Sequence, residues 1–287
     1  MRWAAHLGRR CGDFMYYVDG RHRRVALRNL TMCFWETRSP AEIVEIAQEN
    51  FRRIGENICC AVKSTSLDDQ ALSQFLCFDR NDTIETRRAL ASRNVLLASG
   101  HFGGFELFSR ISPHLAQYKH AATYRAPRQQ ELEELLVHFR SKAGTRLFER
   151  RAGAESLKKA LSQGGLLLIL FSDQSDRING LELSFLGHAA YANRAPAVMA
   201  ARYNCSLFVP ICYRTAHGQY RIELGEPIPT LNADGSRRAC EDITREINRA
   251  YETAILRDPA NWFWVHNRWK GRIAPATAEP MAKAAAA

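Results

Sequence analysis

The stretch 166-LLLILFSD-173 decides the fold. Six apolar residues in a row present an apolar surface to both faces of any strand they form, and only a strand covered on both sides tolerates that. The run is too short for an ordinary helix and stops abruptly at Ser172-Asp173. Outward from it, similar short runs recur at NVLLASG (94–100), HAATYR (120–125), LFVPICYR (207–214) and YRIELG (220–225). Helical patterns lie between them at 129-QQELEELLVHFRSKAG-144, 153-GAESLKKALSQGG-165 and 194-RAPAVMAARYN-204, and a last helix is expected over 238–257. Strands alternating with helices predict an α/β fold, a mixed central sheet with helices on both faces joined by crossover connections.

Upstream of residue 93 the chain reads as helical. In 41-AEIVEIAQENFRRIGENICCAV-62, Ala47, Phe51, Ile54, Ile58 and Ala61 form a one-sided apolar stripe, and Ser39-Pro40 supplies a cap and first turn. The expected organisation is a helical N-terminal segment, 1–92, packed on an α/β core, 93–272. The Ala/Pro-rich tail, 273–287, is expected to be disordered.

Composition narrows the class. The chain has 287 residues with 40 Lys and Arg against 30 Asp and Glu, a formal charge of +10. An excess of that size fits an anionic partner (nucleic acid, lipid headgroups or an acidic carrier protein), or simply a soluble cation. The eight cysteines show no C-x-x-C pair and no metal-ligand spacing, so they read as buried apolar residues in a reducing compartment. No apolar run reaches the length of a signal peptide core or a membrane span, which predicts a protein of the cytosol or of the cytosolic side of a membrane.

The chemistry concentrates at 98-ASGHFGGFELFSR-110. With the strand ending near Ser99 and a helix opening near Gly104, His101 falls at the carboxyl end of a strand, where open α/β sheets place ligands. Glu106 falls in the following turn, within reach of the imidazole, and a carboxylate that orients a histidine makes it a general base. No G-x-S-x-G elbow and no adjacent cysteine supplies a nucleophile, so the base should act on a substrate hydroxyl or on water. The competing reading is a turn histidine followed by a helix-capping glutamate.

The segment 99-SGHFGGFE-106 resembles the H-x4-D/E block of the glycerolipid acyltransferase superfamily and, more closely, the GHFGNWE block of the bacterial lipid A biosynthesis (lauroyl/myristoyl) acyltransferase family. Gly104-Phe105 here replaces Asn-Trp. The resemblance continues in order through 26-ALRNLTMCFWE-36, 124-YRAPRQQELEELLVHFR-140 and the DQ…G…PA…VP…R block of 173–214. It ends at 258-DPANWFWVHNRWK-270, its most specific piece. It implies transfer of an acyl chain from an acyl-carrier-protein thioester, or from acyl-coenzyme A, to a hydroxyl of an anionic glycolipid. The acceptor would be a lipid A precursor at the cytoplasmic face of the inner membrane, and no cofactor and no metal are expected. His101 would deprotonate the hydroxyl with Glu106 holding the ring, and the amides around Gly103-Gly104 would meet the oxyanion.

Arg125 and Arg151 are expected to bind phosphate. Asp173 and Gln174 would line the site, or Asp173 would only cap its own loop. Arg194 would belong to the acceptor site or merely open a helix. Trp262 and Trp264 are expected in the core, and His266 as a hydrogen-bonded histidine rather than a second base. Peripheral membrane contact is expected through Trp3, Phe14, Met15, Tyr16 and nearby arginines. Two alternatives stand: the same chemistry on another acceptor such as a phosphatidylinositol mannoside, or a non-enzymatic basic module binding membrane or nucleic acid. The dispersed charge and the absence of a nucleic-acid motif disfavour the latter, so no nucleic acid partner is expected.

Overall fold

A computed structural model describes residues 1–126, 129–141, 144–150 and 152–270. The chain opens with helices α1 (Arg2–Val18), α2 (Gly20–Phe34) and α3 (Pro40–Ser64), the short α4 (Asp69–Ser73), strand β1 (Leu76–Asp79) and α5 (Ile84–Ala89). The α/β part follows as β2 (Asn94–Ser99), β3 (Lys119–Tyr124), α6 (Gln130–Ser141), β4 (Arg146–Glu149), α7 (Ala154–Gln163) and β5 (Leu166–Phe171). After a hairpin, β6 (Leu181–Phe185) and β7 (His188–Ala192), come α8 (Ala195–Tyr203), β8 (Cys205–Phe208), β9 (Ile211–Ala216), β10 (Gln219–Glu223) and α9 (Cys240–Arg257).

The central sheet has five strands in the order β4-β3-β5-β2-β8, every pairing parallel. LLLILF is its middle strand, as its two apolar faces require. The sheet divides the core in two. Leu96, Ala98 and Leu168 pack under α7, α8, α9 and the first half of α3. Val95, Leu97 and Ile169 point the other way, onto α4, the 3-10 turns after β2 and a second sheet. Antiparallel pairing lies outside the central sheet, between β9 and β10 of this second sheet, β1-β10-β9, and within the β6–β7 hairpin. LFVPICYR, expected as one strand, is two. Pro210 has no N–H to give the ladder, so the chain leaves the first sheet after Phe208 and enters the second at Ile211. Residues 1–92 are helical except for β1, which pairs with β10.

Three features fix the first helices over the site. The cap expected at Ser39 is present and forms a full capping box, the Ser39 amide donating to Glu42 at 2.8 Å. Gly8 and Gly12 of α1 lie directly on the backbone of α3 around Gly55 and Phe51, where a Cβ would overlap a carbonyl. Glu56, wholly buried, accepts from Arg214 Nε at 2.8 Å and from the Gly218 amide at 2.7 Å, tying α3 to the β9–β10 hairpin. Among the described residues, no helix is long and apolar enough to cross a membrane.

Candidate active site

The site begins with a register. Ser99 at the end of β2 stands opposite Phe171 at the end of β5. Two residues past each end come His101 and Asp173, which therefore leave the same edge of the sheet side by side. His101 Nδ1 lies 2.7 Å from Asp173 Oδ1, and the His101 amide donates to Oδ2 at 2.9 Å. The Trp262 indole N–H donates to the same Oδ2 at 2.9 Å. Burial alone would push the Asp173 carboxyl up. The His101 charge and hydrogen bonds, with the Trp262 indole, outweigh it and hold the group down at about 2. Stability from this pairing is thus fully present above the carboxyl's ordinary 3.8 and is lost as the pH falls through about 2.

Nδ1 held by a carboxylate fixes the neutral ring in the tautomer that carries its lone pair on Nε2. The ring packs among Phe105, Phe171 and Phe263, at 4.8, 4.9 and 5.8 Å between centroids. It lines a cavity of about 150 Å³ roofed by Asn50, Arg53, Ile54, Asn57 and Ile58 of α3 and closed by Gly103, Phe105, Glu106 and the segment Ala260–Phe263. The α3 stripe read from the sequence explains this roof. Its first half, Ala47 and Phe51, is buried, whereas Ile54 and Ile58 continue it over the cavity, where Ile58 is exposed.

The expected His101–Glu106 pairing is not the one formed. The sheet register puts Asp173 at the ring first. Glu106, in a 3-10 turn, gives both its oxygens to Arg140 of α6, at 2.6 and 2.8 Å. It still lines the His101 cavity, so the two pairs share one space. Glu106→Ala, Arg140→Ala and the double variant are therefore expected to lose similar activity, with a coupling of about 1–2 kcal/mol in a double-mutant cycle. Independent, additive losses in steady-state rates would contradict the pairing.

The glycine amides are also engaged. Gly103, at φ +47°, gives its N–H to Asn261 O at 2.8 Å, and the Gly104 N–H is directed at the Cys212 sulfur. The glycines serve close approach instead: a Cβ at Gly103 would strike the Cys212 carbonyl, and one at Gly104 the Tyr220 ring. Arg125 follows β3 at the same sheet edge, one strand beyond Asp173, and is exposed. Gln174 is exposed beside Asp173. Arg194 is exposed at the N-cap of α8, where Asn193 receives the Ala195 amide. Arg151 lies outside the described residues, as does the 273–287 tail.

The aromatic terminus belongs to the core, as expected for Trp262 and Trp264, and Trp269 joins them. Asn29 of α2 donates to the carbonyls of Trp264 and His266, and Asn50 of α3 to those of Ala260 and Trp262. His266 accepts from the Ser175 amide at 3.4 Å, and burial lowers its pKa, which fits a hydrogen-bonded role. Arg268 is wholly buried, donates to Tyr191 O at 2.8 Å and has its pKa lowered by burial to about 10. Sequence reasoning missed Arg140 and the functional contact of Trp262. Its one usable signal was that His101 and Asp173 stand at equal distances past two apolar runs.

The model of the bacterial lipid A biosynthesis acyltransferases matches residues 1–271. A lipid A biosynthesis palmitoleoyltransferase of Escherichia coli (strain K12) is 22% identical over 268 residues, covering 93% of this chain and 84% of the relative. A lipid A biosynthesis acyltransferase of Shigella flexneri matches to the same extent. With 271 residues matched by the family's model, this chain belongs to the bacterial lipid A biosynthesis acyltransferase family and is an O-acyltransferase.

Proposed function

We propose that the chain transfers a fatty acyl group from an acyl-carrier-protein thioester to a hydroxyl of a lipid A precursor, with His101 as general base. The observation that carries this reading is the His101–Asp173 pair opening into a cavity roofed by Ile54 and Ile58. Nε2 takes the acceptor's proton as the hydroxyl oxygen attacks the thioester carbonyl. The tetrahedral intermediate collapses, the carbon–sulfur bond breaks, and the imidazolium returns the proton to the departing thiolate. Ester and free thiol are the products, and no acyl-enzyme is formed. Ser99, the nearest hydroxyl in sequence, is wholly buried and stands aside. Asp173 stays ionised and stabilises the imidazolium.

The test is incubation of the purified chain with an acyl-carrier-protein thioester and a tetra-acylated lipid A precursor, followed by mass spectrometry. One added acyl chain is expected. Transfer to a phosphatidylinositol mannoside but not to the lipid A precursor would keep the chemistry and overturn the acceptor. Transfer from acyl-coenzyme A alone would overturn the donor.

An acceptor of this kind is reached from the cytoplasmic face of the inner membrane, and α1 fits peripheral contact there. Trp3 is 77% exposed and Phe14 63%, on the same helix side as exposed Leu7 and Val18, with exposed Arg2 and Arg10 nearby. Met15 is exposed as well, but Tyr16 faces inward against Phe51 and belongs to the core. Replacing Trp3 and Phe14 together by Ser is expected to weaken binding to phosphatidylglycerol vesicles at least about tenfold in flotation, given about 1.5–3 kcal/mol per buried aromatic side chain. Unchanged flotation would remove α1 from the membrane contact.

A further inference from the structure

The segment carrying Trp262 is held from several sides. Asn50 Nδ2 donates to the Ala260 and Trp262 carbonyls at 2.9 and 2.5 Å. Asn261 donates through Nδ2 to Cys212 O at 2.9 Å and accepts the Gly103 amide at 2.8 Å. Phe102 and Trp262 pair as an isolated antiparallel bridge, so this segment runs alongside the residues that carry His101. The neighbouring indole makes a contrast. Trp264 is equally buried and packs edge-on against Trp262 at 4.8 Å, yet its N–H goes to Pro259 O at 2.6 Å, a contact inside its own turn. Of the two indoles, that of Trp262 reaches the carboxylate that holds the base.

We propose that Trp262 is a positioning residue for acyl transfer, its indole N–H locking Asp173 Oδ2 so that Oδ1 is presented to the His101 ring. The inference rests on the reading of His101 as general base. A buried carboxylate with one oxygen taken by two donors, the His101 amide and the indole, cannot turn about its Cβ–Cγ bond without losing both. Its other oxygen is then fixed for Nδ1. Without the indole, Oδ2 keeps a single donor in a site closed to water. The carboxylate becomes more basic and holds the protonated imidazole more tightly, so the neutral, competent ring appears only at higher pH.

The other charged or titratable groups near the pair come from several elements. They are Tyr251 of α9, His266 and Arg268 of the terminal segment, and Arg53 of α3 with Glu106 across the cavity. The Trp262 indole donates to Asp173 and not to any of them, so its removal leaves their own hydrogen bonds in place.

The experiment compares Trp262→Phe with Trp264→Phe, measuring kcat, KM, the pH profile of kcat/KM and thermal unfolding on purified protein. Both should lower the melting temperature. For Trp262→Phe, kcat is expected to fall about tenfold with KM within twofold, and the acid limb of the profile to move up by about half a pH unit. For Trp264→Phe the limb should stay in place. Should Trp262→Phe fail to fold, site-specific benzothienylalanine at 262 keeps the ring shape and removes only the donor. A wild-type limb and wild-type kcat in the donor-less protein, or the same displacement in Trp264→Phe, overturns the proposal. His101→Ala runs alongside. Activity retained there removes the base itself, and with it this inference. An inactive His101→Ala beside an unmoved Trp262 variant removes the Trp262 role alone.

Discussion

Asp173→Asn is expected to cut acyl transfer by about a thousandfold while leaving the protein folded. The asparagine oxygen can still accept from the His101 amide and the Trp262 indole, so the buried contacts that hold the loop survive. Its amide nitrogen then faces Nδ1 as a donor. The imidazole must answer by accepting at Nδ1, which places its proton on Nε2, and a ring protonated on Nε2 cannot take a proton from the substrate hydroxyl. His101→Ala should reach the same floor by removing the base outright. The double variant should be no slower than His101→Ala alone, because the two residues act as one unit. Steady-state rates, with circular dichroism to show folding, provide the check. An Asp173→Asn enzyme within tenfold of wild type would return the orienting role to Glu106.

The largest loss of stability is expected from Glu56→Ala, about 3–5 kcal/mol in urea unfolding. Glu56 is buried with no exposed side-chain area, and Arg214 beside it is nearly so. Truncation leaves the largely buried Arg214 guanidinium without its carboxylate and the buried Gly218 amide without its acceptor. Arg9 is less affected, because Glu49 holds it through two shorter bonds of 2.7 and 2.9 Å. Glu56→Gln keeps one acceptor oxygen, enough for either the Arg214 guanidinium or the Gly218 amide though not for both, and should lose less. Since the same contact ties the cavity's roof helix to the sheet edge behind Gly103, Glu56→Ala should also lower activity below the unfolding midpoint. A loss under about 1 kcal/mol would show that the three elements hold together without it.

The strands that carry the site were legible because they are buried on both faces. NVLLAS and LLLILF announce themselves by composition alone and HAATYR is covered over most of its length, whereas YRIELG shows the alternation of a half-buried strand. Strands β1, β4 and β7 were not legible, whereas the alternation of LELSF in β6 was there to be read. LCFD and RLFE are four residues long, and HAAYA is rich in alanine, so none offers enough β-branched or alternating pattern against its surroundings. The site divides along a similar line. His101 could be found from its place at a strand end. Its partner could not, because local spacing made Glu106 the nearest carboxylate, while the adjacency of β2 and β5 is a property of the sheet. Arg140, which claims Glu106, comes from a helix whose placement no motif specifies. The tryptophans illustrate the remaining gap: a sequence shows that an indole exists, and only packing shows which atom its N–H meets.

The distance along the chain between Asp173 and the indole that holds it, 89 residues, bears on the protein's synthesis. A ribosome that has completed every strand of the central sheet, the last of which ends at Phe208, has still to make α9 and Trp262. The growing chain can therefore carry a histidine and an aspartate in place for some time without the brace that sets them to work. If Trp262 is the brace proposed above, the pair is set for catalysis only once residue 262 has been made, after every strand of the central sheet is complete.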